Sequence, residues 1–381
     1  MAGADKAAVE QALLEIQKAG GSAAGVPNDL LLEAVQMLAL SSSRASGGTS
    51  RASGGTSRAS GGTSRASGGT SRASGGTSSH VVAASHLSVK AQNALEQDGF
   101  ALRALLHTET TDKRELGSLG ALLQTDSQHL GKGKDIQKKY GPYDQLKLAC
   151  AWKIDHPRTR AKYEAGLDRV SKEMELIERK GKDVSRVPGL PAKTPSRGFD
   201  LKQDANESIL LHGTNPDVLL ALLSTGLNER FSGTNAGTAF GDGVYLAEDV
   251  GKTDQYVTAD CAYDKSSELH KRLYGRTVPH PGDVFYLLVC RAALGYSVRT
   301  QDTGRNAQSM DTRSPVFPVS FRELSPVTGV TPPIFHHSLI AELGPAIGRY
   351  REFVVFHSEY VRAEYLVAYQ RFNGDARLRT T

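Results

Sequence analysis

Val284-Phe285-Tyr286-Leu287-Leu288-Val289-Cys290 carries no charged residue from end to end. A strand with one wet face alternates polar and apolar residues, so an unbroken apolar run of this length fits a strand covered on both faces. It predicts the central strand of a sheet. Working outward, Ser208–His212, Gly243–Ala247, Glu352–His357 and Tyr365–Arg371 read as further short strands between connections rich in glycine and proline. Upstream, Leu146-Lys147-Leu148-Ala149-Cys150-Ala151-Trp152-Lys153-Ile154 reads as another strand, and Pro157 opens a helix carrying Tyr163, Leu167 and Val170. Few, early helices and many later strands predict an α+β domain of mainly antiparallel sheet over residues 140–375.

The sequence ahead of that domain divides into three parts. Residues 1–40 read as a short helical segment, with helices over 7–18 and 28–40 joined through Gly20-Gly21 and Pro27. Residues 41–79 form a linker in which Ser-Arg-Ala-Ser-Gly-Gly-Thr repeats five times from Ser43 to Thr77. The repeat holds nothing larger than alanine to bury and no apolar residue for a coiled-coil seam, so a disordered tether is expected. Residues 80–139 are helix-prone, with Leu87, Val89, Ala94, Leu95, Leu102, Leu105 and Leu106 at near-helical intervals.

Lysine and arginine outnumber aspartate and glutamate by 46 to 41, a net charge of +5. Arg44, Arg51, Arg58, Arg65 and Arg72 of the linker supply that excess, so the basic balance says little about the folded part. The linker reads as a solubilising spacer, with weak contact to a nucleic-acid backbone as the alternative. Cys150, Cys261 and Cys290 share no Cys-x-x-Cys spacing, and with His270 and His280 they are irregularly placed, so neither a disulfide framework nor a metal site is expected. No basic-then-apolar leader and no apolar run of about 18 residues occurs. The expectation is an intracellular protein, in nucleus or cytoplasm, that does not engage a membrane.

Two nucleotide-binding motifs fail on inspection. Gly251-Lys252-Thr253 resembles the end of a phosphate-binding loop, but that motif needs glycine where Leu246 stands. Gly241-Asp242-Gly243 lacks its third glycine and the strand-helix-strand setting of a dinucleotide fold.

A longer pattern survives. Leu211-His212-Gly213-Thr214 is followed by Phe240-Gly241-Asp242-Gly243-Val244-Tyr245-Leu246-Ala247, then Gln255-Tyr256, then Glu359 ahead of Glu364-Tyr365-Leu366. The order resembles the catalytic domain of the poly(ADP-ribose) polymerase family, tankyrases included, and Trp152-Lys153-Ile154 with Tyr163 resembles its entry. The autoinhibitory helical bundle found ahead of some members of that family is not apparent in this sequence.

The resemblance implies an ADP-ribosyltransferase fold and an enzyme that transfers ADP-ribose from NAD+, its substrate, to a protein or other macromolecular acceptor, the chain itself included. The product would be mono- or poly-ADP-ribose. A non-catalytic module binding NAD+ or ADP-ribose is the alternative. By resemblance, His212 bonds the adenine-side ribose with Thr214 beside it, and Tyr256 stacks on nicotinamide opposite Tyr245. Thr253 stands where a carboxamide-binding serine is usual, Arg230 in Asn228–Gly237 meets the adenosine or diphosphate, and Glu359 is the catalytic carboxylate. Glu364 is expected to be structural. Gly213 suits its place on physical grounds as well, since a residue without Cβ lets its backbone approach a flat amide closely.

Overall fold

The structure, a computed structural model, describes residues 100–105, 113–128, 130–131, 141–185, 187, 190, 199–232, 238–276 and 278–379. The expected hairpin of residues 1–40, the repeat linker and residues 80–99 lie outside the described residues. All described residues belong to one compact unit, Asp98–Thr381.

In chain order this unit contains β1 (Ala101–Leu105), α1 (Lys113–Leu122), β2 (Gln145–Asp155), α2 (Pro157–Arg179), β3 (Glu207–Thr214), α3 (Pro216–Thr225) and β4 (Val244–Leu246). There follow α4 (Val250–Thr253), α5 (Glu268–Leu273), β5 (Phe285–Ala293), β6 (Ser297–Thr300), β7 (Ser338–Ala341), β8 (Glu352–Val355), β9 (Val361–Asn373) and β10 (Ala376–Arg377). The larger sheet has the order β1-β2-β9-β5-β3 with β10 beside β9, and all its pairings are antiparallel. The smaller runs β4-β8-β7-β6, with β6 and β7 parallel. This is an α+β fold of mostly antiparallel sheet with few helices.

The apolar run over 284–290 lies in the interior of the larger sheet, as its composition predicts. Tyr286, Leu288 and Cys290 pack on one side with Tyr163, Leu167 and Val170 of α2, Leu219 and Leu223 of α3, and Leu269 and Leu273 of α5. Phe285, Leu287 and Val289 join Leu116, Leu119 and Leu122 of α1 on the other. With both faces covered, no polar alternation is needed. Each fully buried side chain of this size stabilises the fold by about 1.5–3 kcal/mol.

One segment departs from the sequence reading. Ala101–Leu105, expected to be helical, is a strand, with Ala101 paired to Asp155 and Leu105 to Ala151. Its exposed positions alternate with more buried ones, a two-residue period that the leucine spacing obscured. The sheet therefore begins ahead of residue 140.

α2 forms where Pro157 sits at its first turn and the His156 side chain accepts from the Thr159 N–H. Tyr163, Gly166, Leu167, Val170, Met174 and Ile177 make its buried stripe. At Gly166 a Cβ would overlap the Glu359 carbonyl oxygen, so the helix lies directly on the 3-10 turn Ser358–Tyr360 that links β8 to β9. That packing sets where Glu359 can be.

Candidate active site

β3 is the edge strand of the larger sheet, and among the described residues the end of β4 meets it at one isolated bridge. Leu211 and Ala247 exchange backbone hydrogen bonds of 2.8 and 2.9 Å. Backbone groups of a strand alternate sides with a period of two, so Gly213 directs its N–H and C=O to the same edge as Leu211, just past the bridge. A Cβ at Gly213 would overlap the Thr253 carbonyl oxygen and press on Val257. Glycine is thus demanded here by the approach of α4 to the strand, which brings the Thr253 carbonyl onto the face of the strand at Gly213, beside the edge its backbone presents.

α4 is only four residues long, too short to stand by itself, and it is held from several sides. The Asp249 carboxylate caps it by accepting from the Gly251 N–H at 2.8 Å and from the Thr125 hydroxyl at 2.6 Å. Tyr350 packs where Gly251 has no side chain. The chain continues through the 3-10 turn Asp254–Tyr256, with Gln255 Nε2 donating to the Gly251 carbonyl at 3.0 Å. Thr253 is buried and its hydroxyl donates to the Val250 carbonyl at 3.0 Å. That bond uses the hydroxyl's single proton, so Thr253 can only accept from a further partner. Tyr256, by contrast, is 52% exposed and leaves a ring face open to a planar ligand.

His212 and Tyr245 join across the bridge. His212 Nδ1 lies 2.9 Å from the Tyr245 carbonyl, which makes Nδ1 the protonated nitrogen of the neutral ring and leaves Nε2 as an acceptor. Burial holds its pKa below the ordinary histidine value against the opposing pull of that carbonyl, so the ring is neutral at physiological pH. The Tyr245 hydroxyl donates to the Gly241 carbonyl at 2.8 Å and accepts from the Phe240 N–H at 2.9 Å. Burial raises its pKa, and these bonds commit the hydroxyl to the protein's own loop, so Tyr245 is a fixed wall.

The carboxylate that the structure brings to this group is Glu352, at the start of β8. Its Oε1 lies 2.8 Å from Lys252 Nζ, and that ammonium stands 5.1 Å from the centre of the Tyr256 ring. Burial pulls the Lys252 pKa down, but the charge and hydrogen bond of Glu352 together with Tyr256 outweigh it and the net shift is upward. Arg351, next to Glu352, grips Glu248 through bonds of 2.9 and 2.8 Å and so fixes the approach to the strand.

Glu359 is elsewhere. It lies beyond the far end of β8, and the three steps of that strand alone span about 10 Å. Its partner is Arg169 of α2, at 3.0 Å, and none of its hydrogen bonds reaches His212, Tyr245, Thr253 or Tyr256. The sequence reading passed over Glu352, although it directly precedes Phe353-Val354-Val355-Phe356, and it saw Lys252 only as a failed phosphate loop. Glu364 bonds to Arg291 and Arg362 on the larger sheet, consistent with a structural place.

Arg230 is exposed on a 3-10 turn, Glu229–Phe231, that Asn228 caps; residues 233–237 of the same loop lie outside the described residues. The Thr214 hydroxyl is buried without a hydrogen-bond partner among the described residues.

The fold also gathers Asp260, His270 and His280, which their spacing did not suggest. Backbone N–H groups of Asp264 and Gly282 donate to Nδ1 of His270 and His280, at 2.8 and 3.0 Å. His270 therefore carries its proton on Nε2 and donates it to Asp260 at 2.8 Å, while His280 Nε2 lies 3.4 Å from the same carboxylate without a hydrogen bond. The Tyr286 hydroxyl adds a further donor at 2.7 Å. With the His270 ring and the Tyr286 hydroxyl both donating to it, the buried Asp260 carboxylate is a hydrogen-bond hub.

Comparison with known proteins matches residues 167–371 to the poly(ADP-ribose) polymerase catalytic domain. A tankyrase poly(ADP-ribose) polymerase from Caenorhabditis elegans is 34% identical over 101 residues, which cover 26% of this chain and 4% of that protein.

Proposed function

Because the chain belongs to the poly(ADP-ribose) polymerase catalytic-domain family, we propose that it transfers ADP-ribose from NAD+ to a protein acceptor, its own chain included, and releases nicotinamide. The observation that carries this reading is the meeting of Gly213 with the Thr253 carbonyl, three residues ahead of the exposed ring of Tyr256 and next to Lys252, which holds the Glu352 carboxylate at 2.8 Å.

Nicotinamide is a flat ring bearing one carboxamide. The outward N–H and C=O of Gly213 match that amide's acceptor and donor, and the Thr253 hydroxyl accepts its second N–H. Tyr256 stacks on the ring face, worth about 0.5–1.5 kcal/mol beyond the area it covers. Tyr245 is the opposite wall, and His212 offers Nε2 to a hydroxyl of the adenine-side ribose, with Thr214 beside it. Arg230 faces the adenosine-diphosphate end.

Departure of nicotinamide breaks its bond to the ribose and leaves positive charge on the sugar, an oxocarbenium-like transition state. We assign to Glu352, in place of Glu359, the carboxylate that bonds the ribose 2′-hydroxyl and stabilises this charge. The same oxygen can take the proton of the attacking acceptor. Lys252 holds Glu352 in place through its 2.8 Å bond.

The test is incubation of the full chain with NAD+ labelled in the adenylate part, with released nicotinamide measured and products resolved by gel. Transfer to protein supports the reading, and discrete bands or ladders separate single addition from polymer. Saturable NAD+ binding with neither nicotinamide release nor transfer would instead establish a binding module.

A further inference from the structure

We infer that the buried ion pair of Asp254 and Arg371, completed by the hydroxyls of Tyr143 and Tyr369, is a positioning network for the nicotinamide wall, on the reading that Thr253 and Tyr256 line the NAD+ pocket. Asp254 stands between those residues in the 3-10 turn and is 1% exposed. Arg371 comes from the far end of β9, and its side chain has no exposed surface.

Both the carboxylate and the backbone of Asp254 are held. Arg371 Nε donates to Oδ1 at 3.0 Å, its terminal nitrogen reaches the Asp254 carbonyl at 2.7 Å, and Tyr369 donates to Oδ1 at 2.7 Å. Tyr143, from the loop before β2, donates to the other carboxylate oxygen. The guanidinium plane is fixed in turn, 3.9 Å from the centre of the Phe285 ring on β5 and 4.7 Å from that of Tyr143. The segment bearing Thr253 and Tyr256 is thereby tied to the larger sheet at one residue.

A fully buried ion pair is a poor way to gain stability, because the cost of taking two charges from water cancels most of their attraction. What it does provide is direction, since an arginine fork engages its partner in a narrow range of geometries. A second pair in the same sheet supplies the contrast. Arg291 bonds Glu364 and Glu207, and these residues belong to β5, β9 and β3 without touching the α4 segment.

The experiment compares nicotinamide and ADP-ribose as separate ligands of the full chain, along with KM and kcat for NAD+, at a temperature where each variant is folded. Arg371→Met should weaken nicotinamide and raise KM for NAD+ about tenfold, the scale of one lost charge-assisted hydrogen bond, with ADP-ribose affinity changed less than about twofold. Arg371→Lys should recover part of the loss. Glu364→Gln should lower the melting temperature and leave both affinities alone. If Arg371→Met does not fold, Tyr143→Phe and Tyr369→Phe remove one donor each, keep the rings, and should each weaken nicotinamide about threefold. Equal weakening of both ligands, or a lowered melting temperature with nicotinamide affinity unchanged, overturns the inference. A wild-type chain that neither binds nicotinamide nor turns over NAD+ sinks the functional reading itself, a distinct result.

Discussion

The two ends of β8 each lead to a glutamate with a basic partner, and the two pairs are covered to different degrees. At the first, Glu352 and Lys252 are 12% and 16% exposed and face the ring of Tyr256. At the second, Glu359 and Arg169 are 25% and 47% exposed, where α2 packs on the turn that follows β8. A charge stabilises a developing cation strongly only where water is excluded and the dipoles are already aimed. Position in a motif therefore decides less than what covers the carboxylate.

The strongest way to break this comparison is to neutralise each glutamate in turn. Glu352→Gln should lower kcat for nicotinamide release by about 10²- to 10⁴-fold while calorimetry still detects NAD+. Glu359→Gln should keep kcat within about twofold, because it loses only a surface pair worth about 0–1 kcal/mol. Reversal of the two results would return the catalytic role to the second end. Next in size is Gly213→Val, whose branched side chain cannot coexist with the Thr253 carbonyl. The strand must move off α4, and NAD+ affinity should fall at least about tenfold, or 1.4 kcal/mol, in a chain whose circular dichroism is unchanged.

Tyr256→Ala removes an exposed ring, so its melting temperature should match wild type. NAD+ binding should still weaken about tenfold, the worth of the stack plus its covered area. A matching loss of stability would mean that Tyr256 is core, not wall.

The smallest effect is on titration. Burial holds both His212, near the Glu352 end, and His336 below the ordinary value of 6.5. On acidification the unfolded chain binds protons first, so stability falls as pH drops below 6.5, and the loss levels off once the native rings titrate too. Each ring contributes at most about 1.4 kcal/mol per pH unit. Urea unfolding of His336→Gln at pH 7.5 and 5.5 should show a shallower decline than wild type.

How much of this was legible beforehand follows from how local each signal is. β5 could be read because covering a strand on both faces writes itself into consecutive residues. β6 and β7 could not, being four residues each and paired across a long connection. β1 was hidden because its leucines also fit a helical period, and its pairing with β2 resolves the ambiguity only in three dimensions. His212, Gly213, Tyr245, Thr253 and Tyr256 came from motif order, and the structure gathers them. Glu352 needed tertiary information, since two glutamates precede the last long strand and only packing of α2 on Ser358–Tyr360 separates them. The partnership of Asp254 with Arg371 spans more than a hundred residues and leaves no pattern at either position.

The bridge between Leu211 and Ala247 joins the edge of the larger sheet to the end of β4, beside the proposed pocket, through two backbone hydrogen bonds. A dinucleotide lying from Gly213 to His212 and Tyr245 would cover that bridge and add hydrogen bonds along the same edge. The amide protons of Leu211 and Ala247 then become a built-in gauge of occupancy: their exchange with solvent should slow when NAD+ is bound and quicken when nicotinamide has left, without any label on the ligand.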